Sequence, residues 1–397
     1  MFYPRTERQL RFLALANELA TIFAERAPEH DRTGAFPHGN FADIRKAGLP
    51  ALIVPEALGG WGAGLLDTVI TMEALAVGDG STALSLVMHM QTLGEARETD
   101  SWPQPLFEQV CHDAVTRGAL VNSIATEPEL GSPSRGGKPK TTATPLYEDG
   151  AQPTAWLLNG RKTFGSMSPA LDYMLIPAAL QDGSDEVARF LVEPGPGLEI
   201  VETWDAMGMR STGSHDILLR DLRVPHTHIL ARGSMDKAAS KTKQGSKTNA
   251  WFMLGVSAVY LGVAVAALQA GVRYARERVP TALGKPIAEL EGIQRRLGEA
   301  ALLIHQARTH LYSAAELWER HPEHRVALSP TVIAAKYTIT NNAVAAVDHC
   351  MRVAGGASMT KTLPLERYYR DVRGGLNHPM NDDQALVLFG QHAIRQI

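Results

Sequence analysis

The chain has 397 residues, of which 45% are hydrophobic and 20% are charged. This length allows two or three domains with a sizeable core, in an ordinary globular composition. The net charge of −3 predicts no attraction to nucleic acid. Two cysteines, Cys111 and Cys350, are too few for a disulfide framework or a metal cluster, and they suit a reducing cytosol.

The N-terminal third, residues 1–121, is predicted to be a helical domain. Apolar residues recur at i, i+3 and i+4 over residues 8–27, as in an amphipathic helix. No apolar core follows the first charges, so we expect no signal peptide and a cytoplasmic protein. Helical periodicity resumes over 66–77 and 81–96, and the second of these segments contains His89 among apolar neighbours.

The pattern changes near Asn122, where short β-rich runs broken by turns begin and continue to residue 230. Residues 156–160 read as a strand that ends in a tight Asn-Gly turn. Residues 217–224 alternate between apolar and polar side chains. Strands this short and closely spaced predict a small sandwich or barrel.

Residues 231–248 form a polar linker that is rich in lysine (Lys237, Lys241, Lys243, Lys247). A solvated loop explains this composition, and contact with an anionic ligand is the alternative.

Helical periodicity returns from Asn249 to the end, over residues 249–278, 287–318, 329–354 and 383–397. Four helices with short connections predict an up-and-down four-helix bundle. The apolar run 252–268 is slightly short for a membrane span, so we expect it to form the buried centre of the bundle, with no membrane association. The predicted fold class is α+β.

Five short motifs, in this order, resemble those of the acyl-CoA dehydrogenase superfamily. They are residues 54–60 (VPEALGG), 125–132 (ATEPELGS), 158–166 (LNGRKTFGS), 207–210 (MGMR) with 224–225, and Arg278 with 284–287 (GKPI). The resemblance covers nearly the whole chain. It implies a helical N-terminal domain, a middle β-sandwich or barrel, a C-terminal four-helix bundle and a flavin cofactor.

The resemblance also implies flavin-binding positions in the β domain. Phe164 would supply an apolar wall for the ring, and Thr126 and Ser166 would supply hydroxyl donors. Ser132 would reach the pyrophosphate. Taken singly, each of these hydroxyls is better explained by a turn or a helix cap, and it is their joint fit to the family pattern that favours the cofactor role.

A second group of positions corresponds to those that hold the adenosine and pyrophosphate half of the cofactor in the family. They are Arg278, Gln294, Gly355 and Gly356. Their presence favours FAD, with FMN as the alternative. Because the family builds this half partly across a subunit interface, the resemblance implies a homo-oligomer, as a tetramer.

The chain departs from the family where a dehydrogenase carries its catalytic glutamate. Counted from the Arg370-Asp371 pair, that position falls on Pro379, which cannot act as a base. Residues 251–253, where some relatives place the base, are Trp-Phe-Met. We expect Asp382 and Asp383 to cap the last helix, with the role of a displaced base as the alternative.

A branch of the superfamily lacks this glutamate, and the chain is similar to it. It comprises two-component flavin monooxygenases of the dibenzothiophene monooxygenase type, which take reduced flavin from a separate reductase. His378 lies near that branch's catalytic histidine, and His89 lies in the helix that lines the substrate side. Histidine can hydrogen-bond to a reacting group or transfer its proton near neutral pH. A satisfied core histidine (His89) and a loop-shaping residue before proline (His378) are the alternatives.

Three functions therefore remain open. The first is a flavin monooxygenase-like enzyme acting on a small apolar or organosulfur substrate. The second is an acyl-CoA dehydrogenase with an unusual base, which would pass electrons to an electron-transfer flavoprotein. The third is a flavin-binding protein without catalysis.

Overall fold

A computed structural model of the chain describes residues 3–130, 137–148, 150–233 and 248–396. Ser132 and the four lysines between 237 and 247 lie outside the described residues. The N-terminal domain contains α1 (Glu7–Thr33), α2 (His38–Lys46), α3 (Leu65–Gly78), α4 (Gly80–Thr99) and α5 (Gln104–Thr116). Thr6 caps α1 by accepting a hydrogen bond from the Gln9 backbone N–H, and Gly34 ends it in the left-handed conformation. Nearly every residue of α3 and α4 is buried, as their apolar composition predicts.

The middle domain is one mixed sheet of eight described strands. They are β1 (Val121–Ser123), β2 (Thr142–Leu146), β3 (Ala155–Gly165), β4 (Tyr173–Leu180), β5 (Val187–Val192), β6 (Leu198–Val201), β7 (His215–Pro225) and β8 (Ile229–Gly233). The order is β6-β7-β3-β2-β4-β5-β8, and β1 runs parallel to β4. The sheet curls, because the Trp156 ring on β3 lies 6.0 Å from the Phe190 ring on β5 although two strands separate them in this order.

The predicted turn at Asn159-Gly160 is wrong, because β3 continues through both residues to Gly165. The register with β7 shifts between Leu158 and Gly160, which marks a β-bulge. A Cβ atom at Gly160 would lie 2.5 Å from Thr141 Oγ1, so the close approach of β2 requires glycine here. The glycine thus serves a bulge within a long strand.

The C-terminal domain is helical. Its helices are α6 (Ala250–Glu277), α7 (Glu291–Arg320), α8 (Arg325–Ala354), α9 (Leu365–Val372) and α10 (Asp382–Gln396). Among the described helices, α6 alone is long and apolar enough to cross a membrane, but 83% of its apolar window is buried within the protein. It packs against α3, α4, α7 and α8 as the core helix. The predicted α+β fold class, with helical, β and helical domains in this order, is confirmed.

The last turn of α9 joins all three domains. Arg370 donates to both oxygens of Asp31 on α1, at 2.9 and 2.6 Å, and to the Met207 carbonyl at 2.8 Å. The buried Asp371 accepts a hydrogen bond from the Met209 backbone N–H at 2.5 Å. Burial raises the pKa of this carboxyl to about 7, and the Met209 N–H opposes that rise. The chain that follows is therefore held at the junction of the bundle and the β domain.

Candidate functional site

The structure brings together three of the predicted flavin-binding residues, Thr126, Phe164 and Ser166. The Thr163 backbone N–H donates to the Thr126 carbonyl at 2.9 Å, so the loop after β1 lies against the end of β3. Phe164 comes next in sequence, and the Ser166 N–H donates to the Phe164 carbonyl at 2.8 Å. The motifs that suggested these residues are therefore parts of one surface.

A buried ion pair fixes this loop, and the sequence did not single it out. Lys162 Nζ lies 2.6 Å from Glu127 Oε1, and both side chains are at most 1% exposed. Glu127 also accepts from the backbone N–H groups of Lys140 and Thr141, at 2.7 and 3.1 Å. Such a carboxylate is satisfied on all sides, and its pairing with Lys162 holds Thr126 beside Phe164.

Phe164 is an exposed aromatic residue on strained backbone. Its φ is +55°, which a residue with a β-carbon rarely adopts, and it is 60% exposed. Its ring meets Trp204 edge-on at 5.8 Å. His215 Nδ1 accepts from the backbone N–H groups of Thr203 and Trp204, both at 3.2 Å, and so holds the Trp204 loop. Phe164 and Trp204 thus form an apolar surface that is open on one side.

Ser166 belongs to a chain of hydroxyl groups. Its Oγ lies 2.8 Å from Ser214 Oγ, which lies 2.7 Å from Thr212 Oγ1. The Thr212 hydroxyl lies within donating distance, 3.1 Å, of the Met209 carbonyl. Asn122 Nδ2 donates to the Ser166 carbonyl at 2.9 Å, so the backbone of Ser166 is engaged while its half-buried hydroxyl faces one internal partner.

His378 lies in the loop between α9 and α10, against α6. Its Nε2 is 2.8 Å from Tyr260 Oη, and its ring meets Phe252 edge-on at 5.8 Å. Burial, together with the nearby Lys336 ammonium, lowers the pKa of His378 to about 4. Burial also raises the pKa of Tyr260, so this phenol stays protonated. Two tautomers of the neutral histidine satisfy this contact: Tyr260 donates to Nε2 of a ring that carries its proton on Nδ1, or the Nε2–H donates to the phenol oxygen.

Two glycines make this contact possible. A Cβ atom on Gly374 would lie 2.6 Å from Tyr260 Oη, and one on Gly375 would lie 2.9 Å from the Tyr260 ring. Tyr260 is fully buried. The Gly374-Gly375 pair is therefore the local signal for a bulky residue beneath the loop, although the sequence does not say which residue that is.

The carboxylates near Pro379 are already engaged or point elsewhere. Asp382 accepts from Asn341 Nδ2 at 2.9 Å and lies 3.8 Å from the buried Lys336 ammonium. The predicted capping role of Asp382 and Asp383 is wrong, because Asn381 Oδ1 accepts the backbone N–H of Gln384 at 3.0 Å. The two aspartates instead occupy the first turn of α10, where the helix dipole favours negative charge.

His89 lies in a different environment from His378. It is fully buried on α4, its Nε2 lies 2.9 Å from the Pro50 carbonyl, and its Nδ1 accepts from the Val121 N–H at 3.1 Å. Burial lowers its pKa to about 4. Both ring nitrogens are engaged by backbone, an arrangement that suits a neutral residue joining α4 to β1.

The predicted adenosine-side residues lie on the surface of the protomer. Arg278 and Gln294 flank the short 3-10 turn Ile287–Glu289, and Gln294 Nε2 donates to the Ala288 carbonyl at 3.0 Å. Gly355 and Gly356 end α8, and a Cβ on either would meet open space. No hydrogen bond or ion pair among the described residues joins these glycines to Arg278 or Gln294. A single protomer thus presents them as two separate exposed groups.

A cavity of about 290 Å³ lies elsewhere, between the N-terminal domain and the far end of the bundle. It is lined by Gly64, Leu65, Arg97, Glu98, Trp251, Glu319 and Arg325. Glu98 accepts from the Trp251 and Trp318 indoles at 2.9 and 3.0 Å, and Arg97 donates to two backbone carbonyls. It contains none of the predicted site residues, and its charged groups serve to join helices.

The residues of the β domain fit the ring half of a flavin. An isoalloxazine ring needs an apolar wall, which Phe164 and Trp204 offer, and polar groups at its edge, which Ser166 and Thr126 offer. Phe164 thus combines a strained backbone with an exposed ring, as residues at ligand sites often do.

The chain matches three domain families over most of its length. They are described as "Acyl-CoA dehydrogenase, N-terminal domain" (residues 6–97), "Acyl-CoA dehydrogenase, middle domain" (123–222) and "Acyl-CoA dehydrogenase, C-terminal domain" (254–383). It is 38% identical over 384 residues to "Putative acyl-CoA dehydrogenase YdbM" of Bacillus subtilis (strain 168), covering 97% of both chains. It is 31% identical over 375 residues to the L-evernosamine nitrososynthase of a Micromonospora species, covering 91% of this chain and 84% of that protein.

Solved structures share the whole fold. KijD3 in complex with FMN and dTDP-3-amino-2,3,6-trideoxy-4-keto-3-methyl-D-glucose is 29% identical, with a TM-score of 0.78 over 98% of this chain and 95% of that one. FMN-bound TdsC from Paenibacillus sp. A11-2 is 24% identical, with a TM-score of 0.86 over 98% of both chains, a likeness of fold.

Proposed function

The chain belongs to the acyl-CoA dehydrogenase family of flavin-dependent oxidoreductases, and from this premise we propose that it is a monooxygenase-like member acting on a small apolar or organosulfur substrate. The observation that carries the proposal is the group beside Pro379. There the chain has a neutral histidine hydrogen-bonded to Tyr260, where a dehydrogenase needs a carboxylate base.

The neighbouring carboxylates do not replace that base. Asp382 is bound to Asn341 and faces Lys336, and Asp383 is exposed in the first turn of α10. Asp371 is buried and already accepts a hydrogen bond from Met209. A general base must be within hydrogen-bond reach of the proton that it removes, and each of these groups is committed or directed elsewhere.

The role proposed for His378 follows from its partner. In the tautomer in which Tyr260 donates to Nε2, the neutral ring carries its proton on Nδ1 and can donate it to a bound substrate or to a reacting oxygen. No described residue accepts a hydrogen bond from Nδ1. His378 would therefore act as a positioned neutral donor, which suits oxygen transfer better than removal of a carbon-bound proton.

The cofactor proposed for this site is FAD, with FMN as the alternative. Phe164, Thr126 and Ser166 would hold the ring half, whereas Arg278, Gln294, Gly355 and Gly356 would hold an adenosine half. Bound flavin would supply the redox chemistry, which is hydride acceptance in a dehydrogenase and, once reduced, oxygen activation in a monooxygenase. FMN is favoured by the FMN complex of KijD3, and FAD by the retained adenosine-side residues.

The redox partner depends on whether the protein is a monooxygenase or a dehydrogenase. A monooxygenase of this kind needs a separate flavin reductase, whereas a dehydrogenase needs an electron-transfer flavoprotein. We propose a homo-oligomer, a tetramer, because no hydrogen bond or ion pair among the described residues joins Arg278 and Gln294 to Gly355 and Gly356 within one protomer. The nitrososynthase relatives, named for forming a nitroso group, support oxygenation and add amines to the substrate classes to be tested.

The second candidate is an acyl-CoA dehydrogenase with a non-standard base. The name of the Bacillus relative, at 38% identity, favours it. Asp371 would be its strongest candidate base, because its pKa of about 7 suits proton abstraction, but its contact with Met209 would have to break. The third candidate is flavin binding without catalysis. It predicts no turnover either with reduced flavin and oxygen or with an acyl-CoA.

The test supplies FMN or FAD, a flavin reductase with its reduced nicotinamide, and oxygen to a panel of aromatic thioethers, indoles and amines. We expect one oxygen atom in the product, with the other leaving as water, and ¹⁸O₂ measures this incorporation by mass spectrometry. His378→Ala should lose the product, whereas the exposed control His310→Ala should keep it. Peroxide release alone with every substrate would contradict the proposal.

A further inference from the structure

The hydroxyl chain that begins at Ser166 runs from the open surface beside Phe164 into the protein interior. Ser214 and Thr212 are 5% and 1% exposed, whereas Ser166 is half-buried. Each hydroxyl has one proton to donate and lone pairs to accept with. The direction of donation along the chain is therefore a property of all three groups together.

In one direction, Ser166 donates to Ser214, Ser214 donates to Thr212, and Thr212 donates to the Met209 carbonyl, over 2.8, 2.7 and 3.1 Å. Every proton of the chain then points inward. The Ser166 oxygen presents only lone pairs to the outside, so it can accept a hydrogen bond from a bound group but cannot donate one.

In the opposite direction, Thr212 donates to Ser214 and Ser214 donates to Ser166, which leaves the Ser166 proton free to point outward. This reversal does not orphan the Met209 carbonyl. The indole Nε1 of Trp204 still donates to it at 3.0 Å, and the Thr212 backbone N–H does so at 3.3 Å. Buried groups therefore remain satisfied in both directions, so neither arrangement carries the penalty of an unpaired buried group.

We propose that Ser166, Ser214 and Thr212 form a reversible hydrogen-bond relay, which lets Ser166 either donate to or accept from the group bound beside Phe164. The inference rests on the proposed flavin site. An oxidised flavin offers a bare ring nitrogen, N5, that accepts a hydrogen bond, whereas reduced flavin bears an N–H there that donates one. A reversible relay would allow the same serine to bind both redox states.

The substitution Thr212→Val tests whether the Thr212 hydroxyl is part of a relay or has only a structural role. Valine keeps the shape of threonine but cannot accept from Ser214, so the buried Ser214 proton must turn toward Ser166. Ser166 then uses one lone pair for the Ser214 proton and turns its own proton outward, which suits oxidised flavin. To accept from the N–H of reduced flavin with its second lone pair, it would have to leave that proton without a partner. Thr212→Ser keeps the hydroxyl and is the matched control.

The experiment measures the Kd of oxidised FMN and FAD by fluorescence quenching, and of dithionite-reduced FMN and FAD by ultrafiltration under argon. We expect Thr212→Val to raise the ratio of reduced to oxidised Kd about tenfold, or about 1.4 kcal/mol, because one buried hydrogen bond is left unsatisfied in the reduced complex. Thr212→Ser should stay at the wild-type ratio. Ser214→Ala frees the Ser166 hydroxyl to rotate. This variant should bind both oxidised and reduced flavin more weakly, and its ratio of reduced to oxidised Kd should stay within about threefold of the wild-type ratio.

An unchanged ratio in Thr212→Val, or an equal change in Thr212→Ser, would overturn the relay. A wild-type protein that binds neither flavin would overturn it together with the cofactor assignment. Failure of the monooxygenase proposal is separate, because it is judged by product formation, and the ratio of affinities is measured without substrate.

Discussion

Tyr260 Oη and His378 Nε2 lie 2.8 Å apart, across 118 positions of sequence. The contact joins the buried core helix α6 to the loop that carries Pro379, and the close approach of Gly374 and Gly375 makes room for it. It also couples the tautomer of His378 to the Tyr260 hydroxyl, because the ring proton lies on Nδ1 when that phenol donates to Nε2. The reactivity proposed for His378 therefore depends on a phenol that would never touch the substrate.

Tyr260→Phe should free Nε2 of His378 and leave the fold intact. Without the phenol proton, the neutral ring populates both tautomers, so the fraction with a donor at Nδ1 falls and oxygenation should drop about tenfold. The side-chain ¹⁵N shifts of His378 report the tautomer directly. Tyr312→Phe is the matched control, because its phenol donates to Glu73 at 2.7 Å on a different pair of helices. Equal tautomer changes in both variants would contradict this role for Tyr260.

The charge of Lys336 should contribute to the low pKa of His378. Lys336 is fully buried on α8 and faces Asp382, so we expect Lys336→Met combined with Asp382→Asn to remove the cation without stranding an anion. The pKa of His378, followed by NMR titration, should rise by about 1 unit toward its ordinary value. Lys336→Arg keeps the charge and should keep the low pKa. An unchanged pKa in the double variant would show that burial alone sets it.

His89 should make the protein sensitive to acid. Its pKa is about 4 in the folded chain and near 6.5 when unfolded, so the unfolded state binds more protons between these values. The contribution of His89 to the free energy of unfolding should therefore be fully present above pH 6.5. It should decrease as the pH falls toward 4, by up to about 1.4 kcal/mol per pH unit.

His89→Gln should reduce that sensitivity, because an amide can donate to Pro50 and accept from Val121 without titrating. Urea unfolding measures the loss of unfolding free energy between pH 7.5 and pH 5.0, and this loss should be about 1–2 kcal/mol smaller in the variant than in the wild type. The part of the loss that comes from His378 should remain. The exposed His310→Gln is the control. A pH dependence equal to wild type in His89→Gln would argue against a neutral His89.

Two substitutions of Phe164 should affect protein stability differently but flavin binding alike. Phe164→Gly relieves the strain of φ +55°, whereas Phe164→Ala keeps it, so the glycine variant should be more stable than the alanine variant by about 1 kcal/mol. Both remove the aromatic wall and should weaken FMN and FAD binding to a similar degree. Thermal unfolding and flavin titration measure the two effects. Unchanged flavin affinity in both variants would place the ring elsewhere.

The resemblance carried by short motifs was enough to predict the domain order and to group Thr126, Phe164 and Ser166. Those motifs are local, and the structure places them on adjoining turns. Tyr260, Lys336 and the Glu127–Lys162 pair could not be predicted in the same way. Their partners lie on other elements, and an apolar helix such as α6 does not reveal which of its residues meets a distant loop.

Two local predictions failed for local reasons. Asn159-Gly160 is a typical hairpin dipeptide, but β2 and β7 pair with β3 on either side of it and keep the strand extended through a bulge. The sequence predicts Asp382 and Asp383 as caps of the last helix, and asparagine is a residue type that caps helices equally well. Asn381 takes the cap, and Asp382 turns to Asn341 and Lys336 instead.

The central claim is that this chain keeps the flavin fold of its family but not the base of its dehydrogenases. The most direct test mixes the oxidised, flavin-loaded protein anaerobically with short-, medium- and long-chain acyl-CoA and follows the flavin absorbance. We expect no bleaching and no enoyl-CoA with any chain length, because Pro379 offers no base. Bleaching with a matching yield of enoyl-CoA would contradict the claim and establish a dehydrogenase.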